Sequence, residues 1–204
     1  CASRSERRRS YLSVEAGDAP GGLAAAREFH PGFRVPVAHS LGHLPQSLVD
    51  DLGLAAHGYK VSGTVATVGL GADGRHVRAH DGRLDGASEA DAAAYEAYLQ
   101  LMGRYADALA PFWLKTIPRI GSGSLADLLT YAHVGLNLRR LGKADMREFL
   151  RIASLPVRDL MDEYFESDLL KAMLGWEGLV GSKMAPRSPN GSVLTMLYRM
   201  NAGA

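Results

Sequence analysis

The sequence predicts a mostly helical α+β protein. Three observations carry that expectation. From Ser88 to Met200 apolar residues recur at helical spacing, broken at intervals by Pro and Gly. Ahead of this zone, residues 61–68 are rich in β-branched side chains: Val61, Thr64, Val65, Thr67 and Val68. An Asp73-Gly74 turn signal and an alternating stretch, His76 to His80, follow them. The balance of residues suits a soluble globular chain. Of 204 residues, 47% are hydrophobic and 22% charged, so collagen-like and wholly disordered classes are excluded. Twenty-three basic side chains meet 22 acidic ones, which argues against a body-wide nucleic-acid footprint. Cys1 is the only cysteine, so no internal disulfide, CxxC redox pair or thiolate zinc cage can form.

Three zones follow in order: residues 1–60, mixed and loop-rich; 61–86, a β hairpin; and 87–204, helical. Residues 1–10 hold four arginines and no apolar stretch, which is not a secretory signal. Tyr11 to Val14 reads as a short strand ending at an acid, Glu15. A breaker cluster, Gly17 to Gly22, follows. Pro31-Gly32 makes a turn between Phe29 and Phe33. Pro45 suits the first turn of a short helix that Gly53 stops.

In the helical zone Ser88 and Asp91 have capping-box spacing, and Pro111 closes the first helix. Ser124 and Asp127 repeat the spacing. Leu125, Leu128, Leu129, Ala132, Leu136 and Leu141 form the stripe expected to face the core, with Gly142 as the stop. Shorter helices are expected around Met146–Ile152, over Val157–Tyr164 and Ser167–Trp176, and over Val193–Met200. The chain starts with Cys rather than Met and stops just after an apolar run. Both ends read as cuts in a longer protein.

The motifs that carry chemistry are few. Gly69-Leu70-Gly71-Ala72-Asp73-Gly74 fits GxGxxG after a strand. A dinucleotide cradle needs the third glycine to open a helix, because the helix N-terminus holds the pyrophosphate. Residues 75–82 read as strand and turn, so a hairpin is the expectation. A nucleotide-binding reading would require a helix there. Glu15 followed by Gly21-Gly22 is quieter and fits better. An acid at the end of a strand can accept hydrogen bonds from ribose hydroxyls, and a glycine pair lets the backbone pass close to a bulky cofactor. A surface turn with a solvated Glu15 is the competing reading.

His39 and His43 lie four apart, but with no third ligand nearby they read as loop or core residues, and no metal is expected. His30, before Pro31, reads as a packed turn residue. Asp159, Asp162, Glu163 and Glu166 read as a solvated helix face. Arg139, Arg140 and Lys143 complement a helix C-terminus. Trp113, Trp176, Tyr95 and Tyr98 are expected in the core. GxSxG and GxxxxGK[ST] are both absent from the sequence.

The stretch Val14 to Gly22, continued by Glu28-Phe29-His30-Pro31-Gly32-Phe33-Arg34-Val35, resembles the phytoene dehydrogenase-like branch of the FAD-dependent amine-oxidase/desaturase superfamily. That branch includes the pyridine nucleotide-disulfide oxidoreductase domain-containing protein 2 group. The resemblance continues at Asp50 to Leu54, Ala144 to Glu148, Phe165 to Ala172, and Gly181 to Pro189, in the family's order. It implies a flavoenzyme: FAD in a Rossmann-like domain, of which residues 1–60 are a part, and a helical substrate domain. By the same resemblance Glu15 binds the adenosine ribose, and Gly21 and Gly22 lie beside the cofactor. The implied reaction is hydride removal from, or isomerisation of, an apolar small-molecule substrate. No catalytic side chain is singled out. The family's first strand–GxGxxG–helix motif would fall just before Tyr11, where residues 1–10 hold no glycine. At Gly17 relatives often carry an arginine.

The alternative is a non-catalytic helical binding or interaction module that has lost its cofactor site. Nucleic acid is not an expected partner. Peripheral membrane contact and a homo-oligomer stay open. The expected compartment is the cytoplasm, or an organellar matrix in a eukaryotic source.

Overall fold

The computed structural model describes residues 14, 17–18, 20–22, 25–36, 44–61, 63, 65–119, 121, 123–188 and 191–201. The chain divides into two compact units, residues 1–61 and 62–204.

In the first unit, β1 (Ala26–His30) and β2 (Phe33–Pro36) form an antiparallel hairpin. Pro31 fixes φ at the first turn position, and Gly32 takes the second with φ +82°. Helix α1 (Gln46–Asp51) begins right after Pro45. A 3₁₀ turn, Leu54–His57, follows between Gly53 and Gly58, both left-handed. The described residues of this unit contain no strand–helix–strand crossover. The expected strand at Tyr11–Val14 lies largely outside them, and Val14 itself is irregular and exposed.

The second unit is helical with one small sheet. Strands β3 (Thr67–Leu70), β4 (His76–His80) and β5 (Arg83–Asp85) run antiparallel in that order. The strand starts later than the β-branched run suggested: Val61 and Val65 are irregular and exposed. The third strand is an addition to the expected hairpin. Its turn is Asp81-Gly82, with φ +48° and +75°, the doubly left-handed geometry of a tight two-residue hairpin. Val77 and Ala79 point inward from β4 while His76 and Arg78 face out, the period of two expected of a half-buried strand.

Seven helices are found among the described residues, six of them here: α2 (Glu89–Leu109), α3 (Leu125–Arg140), α4 (Lys143–Ile152), α5 (Val157–Tyr164), α6 (Asp168–Gly175) and α7 (Ser192–Asn201). Helix α2 is the spine. Tyr95, Tyr98, Met102, Tyr105, Ala106 and Leu109 recur along its buried side and meet Ile152, Leu160, Met161, Leu170, Met196 and Leu197. Aromatic rings meet edge-on within the core. Tyr98 packs edge-on against Tyr164 and Phe165, and Tyr105 against Phe149. Burial pushes the Tyr98 hydroxyl up in pKa, and it donates a hydrogen bond to the Met196 sulfur at 3.0 Å. The Tyr105 hydroxyl is buried and has no partner among the described residues.

Two polar groups tie the helices together. Ser192 is fully buried and its Oγ accepts from the Val157 amide at 2.8 Å, fixing the start of α5 against α7. Asp91, 2% exposed, accepts from the amides of Glu166 and Ser167 at 2.8 and 3.1 Å. The capping box is therefore only half made. Ser88 Oγ accepts from the Asp91 amide at 3.1 Å, but the Asp91 carboxylate reaches across to the start of α6. Ser124 makes no side-chain cap bond at all.

Helix α3 overturns one expectation. It has no buried residue, and its leucines face outward, with Leu125, Leu128 and Leu129 at 69%, 63% and 60% exposure; of the expected stripe, Leu141, just past the helix, packs half-buried against the core. The side that meets the body carries Val134, Asn137 and Leu138, and Asn137 donates to the Ala108 carbonyl at 3.3 Å.

Candidate functional site

The GxGxxG segment is folded as a hairpin turn. Gly71 N–H donates to the Arg75 carbonyl at 2.9 Å, and Asp73 closes the turn through the Arg75 amide. Each glycine has a local reason. A Cβ on Gly69 would sit 3.3 Å from Met173, so Gly69 lets α6 approach the sheet. One on Gly71 would lie 2.2 Å from the Arg75 carbonyl oxygen, which is impossible. Gly74 is left-handed. The following residues are β4, so no helix N-terminus is available to a pyrophosphate here.

Of the expected cofactor residues, Glu15 lies outside the described residues. Gly21 and Gly22 are exposed with φ +133° and +52°, and Gly22 has open space where its Cβ would be. They lead toward β1 rather than into a helix. The backbone at Gly22 is free for close approach, but the described residues offer no pyrophosphate cradle. By themselves they do not fit a dinucleotide. His39 and His43 also lie outside the described residues. No group of three or more potential metal ligands occurs among the described residues.

The concavity with the chemistry of a ligand site lies between α5 and α6. It has a volume of about 550 Å³. Val157, Met161, Gly175 and Leu179 give it an apolar lining, and Trp176 stands at its edge, 53% exposed. Trp176 was expected in the core. It sits one residue past α6, in a 3₁₀ turn that swings its ring to the pocket wall. Trp113, by contrast, is half-buried and packs edge-on against Tyr198. Tyr95 and Tyr98 are buried as expected.

Two cations and two carboxylates also line the pocket. Asp162 takes Lys171 at 2.9 Å and Arg158 at 3.6 Å, while Asp168 lies 3.8 Å from Lys171. The hydrogen bond from Lys171 holds the Asp162 carboxyl below the usual carboxylate range and raises the Lys171 ammonium. These groups neutralise one another. Asp162 and Lys171 are each held further in their charged forms, which suits neither to proton transfer near neutral pH. It can bind an apolar or aromatic body against Trp176. Glu163, a neighbour in sequence, belongs elsewhere: Arg151 bridges it to Glu148 in a surface ion network. Sequence reasoning missed this pocket because its lining comes from two helices and the Pro186 loop. The exposed position of Trp176 has no periodic signature.

No protein-family model matches the chain, and no solved structure does. Among curated proteins it is similar to pyridine nucleotide-disulfide oxidoreductase domain-containing protein 2 of Rattus norvegicus. The two are 27% identical over 205 residues, covering 88% of this chain and 34% of the relative. The Mus musculus protein of the same name matches over the same shares, also at 27% identity. The chain spans about a third of the length of the curated relatives it matches. The chain is thus distantly similar to proteins named for an oxidoreductase domain.

Proposed function

We propose that this chain is the substrate-covering part of an FAD-dependent oxidoreductase of the phytoene dehydrogenase-like kind. Its proposed role is hydride removal from, or isomerisation of, an apolar small molecule. The observation that carries the reading is the similarity to oxidoreductase-domain proteins across 88% of the chain, which reaches both units. The apolar pocket beside Trp176 supports the substrate class. FAD would supply the redox chemistry, and the protein the binding and orientation. Glu15 is the proposed ribose ligand, with Gly21 and Gly22 beside the nucleotide.

Equilibrium titration of FAD, followed by flavin fluorescence, tests the reading. Saturable binding is expected, weak because the described residues lack a pyrophosphate cradle. Glu15→Ala should weaken it about tenfold, the worth of one charge-assisted hydrogen bond. No saturable binding, or equal binding by the variant, would overturn the flavin assignment.

The lack of a pyrophosphate cradle among the described residues favours a second reading, a helical binding module that has lost its cofactor site. Calorimetric binding of β-ionone that is lost in Trp176→Ala, with no flavin binding, would select it.

A further inference from the structure

We propose that the outward face of α3, with the segment before it, docks onto an anionic membrane surface. The inference does not rest on the flavin reading. Leu125, Leu128, Leu129 and Leu136 fall within a 100° arc at helical spacing, and each is 46–69% exposed. Leu114 and Ile117, just upstream, are 67% and 87% exposed. A stripe this large on one exposed side needs a partner.

Charge identifies the partner. From Phe112 to Lys143 the sequence carries Lys115, Arg119, Arg139, Arg140 and Lys143 against one acid, Asp127. That is a net +4 in a chain whose total is +1. At 100° per residue Arg139 falls within the leucine arc, three residues past Leu136, and Arg140 lies just outside its edge. Lys115 lines the same groove as Leu129 and Leu136. None of the five cations is in an ion pair among the described residues. Leucines on one face with free cations at its border are the pattern of a helix lying in the headgroup plane. No described helix is long and apolar enough to cross a membrane, so contact would be in plane. A second copy fits poorly, because a two-fold interface would set this cationic face against itself.

Vesicle flotation of the full chain tests the proposal. Two compositions are compared: phosphatidylcholine with about 30% phosphatidylglycerol, and phosphatidylcholine alone. Binding to the anionic vesicles is expected, with far weaker binding to the neutral ones. Arg139→Gln with Arg140→Gln should reduce it about 25-fold, about fivefold per cation. Leu129→Ser with Leu136→Ser should reduce it at least tenfold. Both pairs are exposed, so circular dichroism and thermal unfolding should match the parent. Absence of flotation with anionic vesicles overturns the proposal, as does equal flotation by either folded variant. A dimer in sizing chromatography that the leucine variant dissolves, without vesicle binding, would assign the face to a second copy instead.

Discussion

Asp91 is the residue whose replacement should most clearly separate local from tertiary stabilisation in the larger unit. It sits in the first turn of α2, yet its carboxylate accepts the amides of Glu166 and Ser167. Ser167 is in turn the cap of α6, its Oγ accepting from the Leu170 amide at 3.3 Å. One carboxylate thus faces the positive ends of two helices. Each charge-assisted bond is worth about 1.5–3 kcal/mol. The neighbouring groove, lined by Asp91, Ser167 and the Gly71–Arg75 turn, would admit water to the freed amides and lower the loss. Asp91→Ala should therefore cost about 2–4 kcal/mol, and Asp91→Asn, which keeps one acceptor, about 1–2 kcal/mol. Urea unfolding followed by tryptophan fluorescence measures this directly, since Trp113 and Trp176 both lie in this unit. Hydrogen exchange at Ser167 and Glu166 should accelerate in the Asn variant before global unfolding does. If both variants unfold within about 0.5 kcal/mol of the parent, the carboxylate is not the tie between α2 and α6.

Two further outcomes follow from buried or paired ionisable groups. The Tyr105 hydroxyl has no partner among the described residues, and burial pushes its pKa up to about 12. Tyr105→Phe should leave thermal stability equal or improved by up to about 1 kcal/mol, and a loss of that size would show that the hydroxyl is satisfied. A raised folded pKa means that Tyr105 stabilises fully below pH 10, its ordinary value, and less as pH climbs toward 12, so the variant should resist alkaline unfolding longer. On the acid side, Arg151 lowers Glu148, and Lys171 lowers Asp162. Their contribution is present above the ordinary values of 4.5 and 3.8 and is lost as pH falls through the lowered ones. Urea midpoints measured from pH 6 downward should stay flat and then fall, and Arg151→Gln should flatten that fall. An unchanged acid profile in the variant would count against the Glu148–Arg151–Glu163 network.

Much of the helical order was legible because it is written in local chemistry. Val157–Tyr164 is bounded as its apolar spacing and Pro156 predict, and Gly142, with φ +91°, ends α3 where a left-handed stop was expected. The third strand was less legible. At three residues it is too short to show a period, although Asp81-Gly82 held the better hairpin signal of the two Asp-Gly pairs. The direction of α3 was not legible at all. Periodicity reveals that a helix has an apolar side, but not whether this chain supplies what covers it. The inner side of α3 is held instead by Val134, Leu138 and the Asn137 bond to Ala108, too sparse a pattern to outvote four leucines. The ligand pocket was hidden for a related reason: Val157 and Met161 are core residues that also form its floor, and it opens only because α6 ends at Gly175 and leaves Trp176 outside.

The two glycine signals separate on the same physical ground. A glycine reports that something approaches its Cα closely, not what approaches it. At Gly69 the neighbour is α6, at Gly71 the Arg75 carbonyl, and at Gly86 the His76 carbonyl, 2.1 Å from where a Cβ would stand. Each is filled by this chain, so the first two glycines of GxGxxG leave no room for a nucleotide, while Gly74, open and left-handed, serves the hairpin turn into β4. At Gly22 no described residue beyond its chain neighbours comes within 4 Å of the Cβ position, and its φ of +52° is one that other residues adopt only with strain. A backbone both left-handed and open is what close approach by a ligand requires. It is also what a plain surface turn looks like. Gly22→Ala discriminates them through FAD affinity: the added methyl meets no packing clash, but the left-handed backbone should cost about 1–2 kcal/mol in unfolding. Flavin binding weakened more than tenfold in the folded variant would place the nucleotide against this turn, and unchanged binding would remove Gly22 from the proposed site.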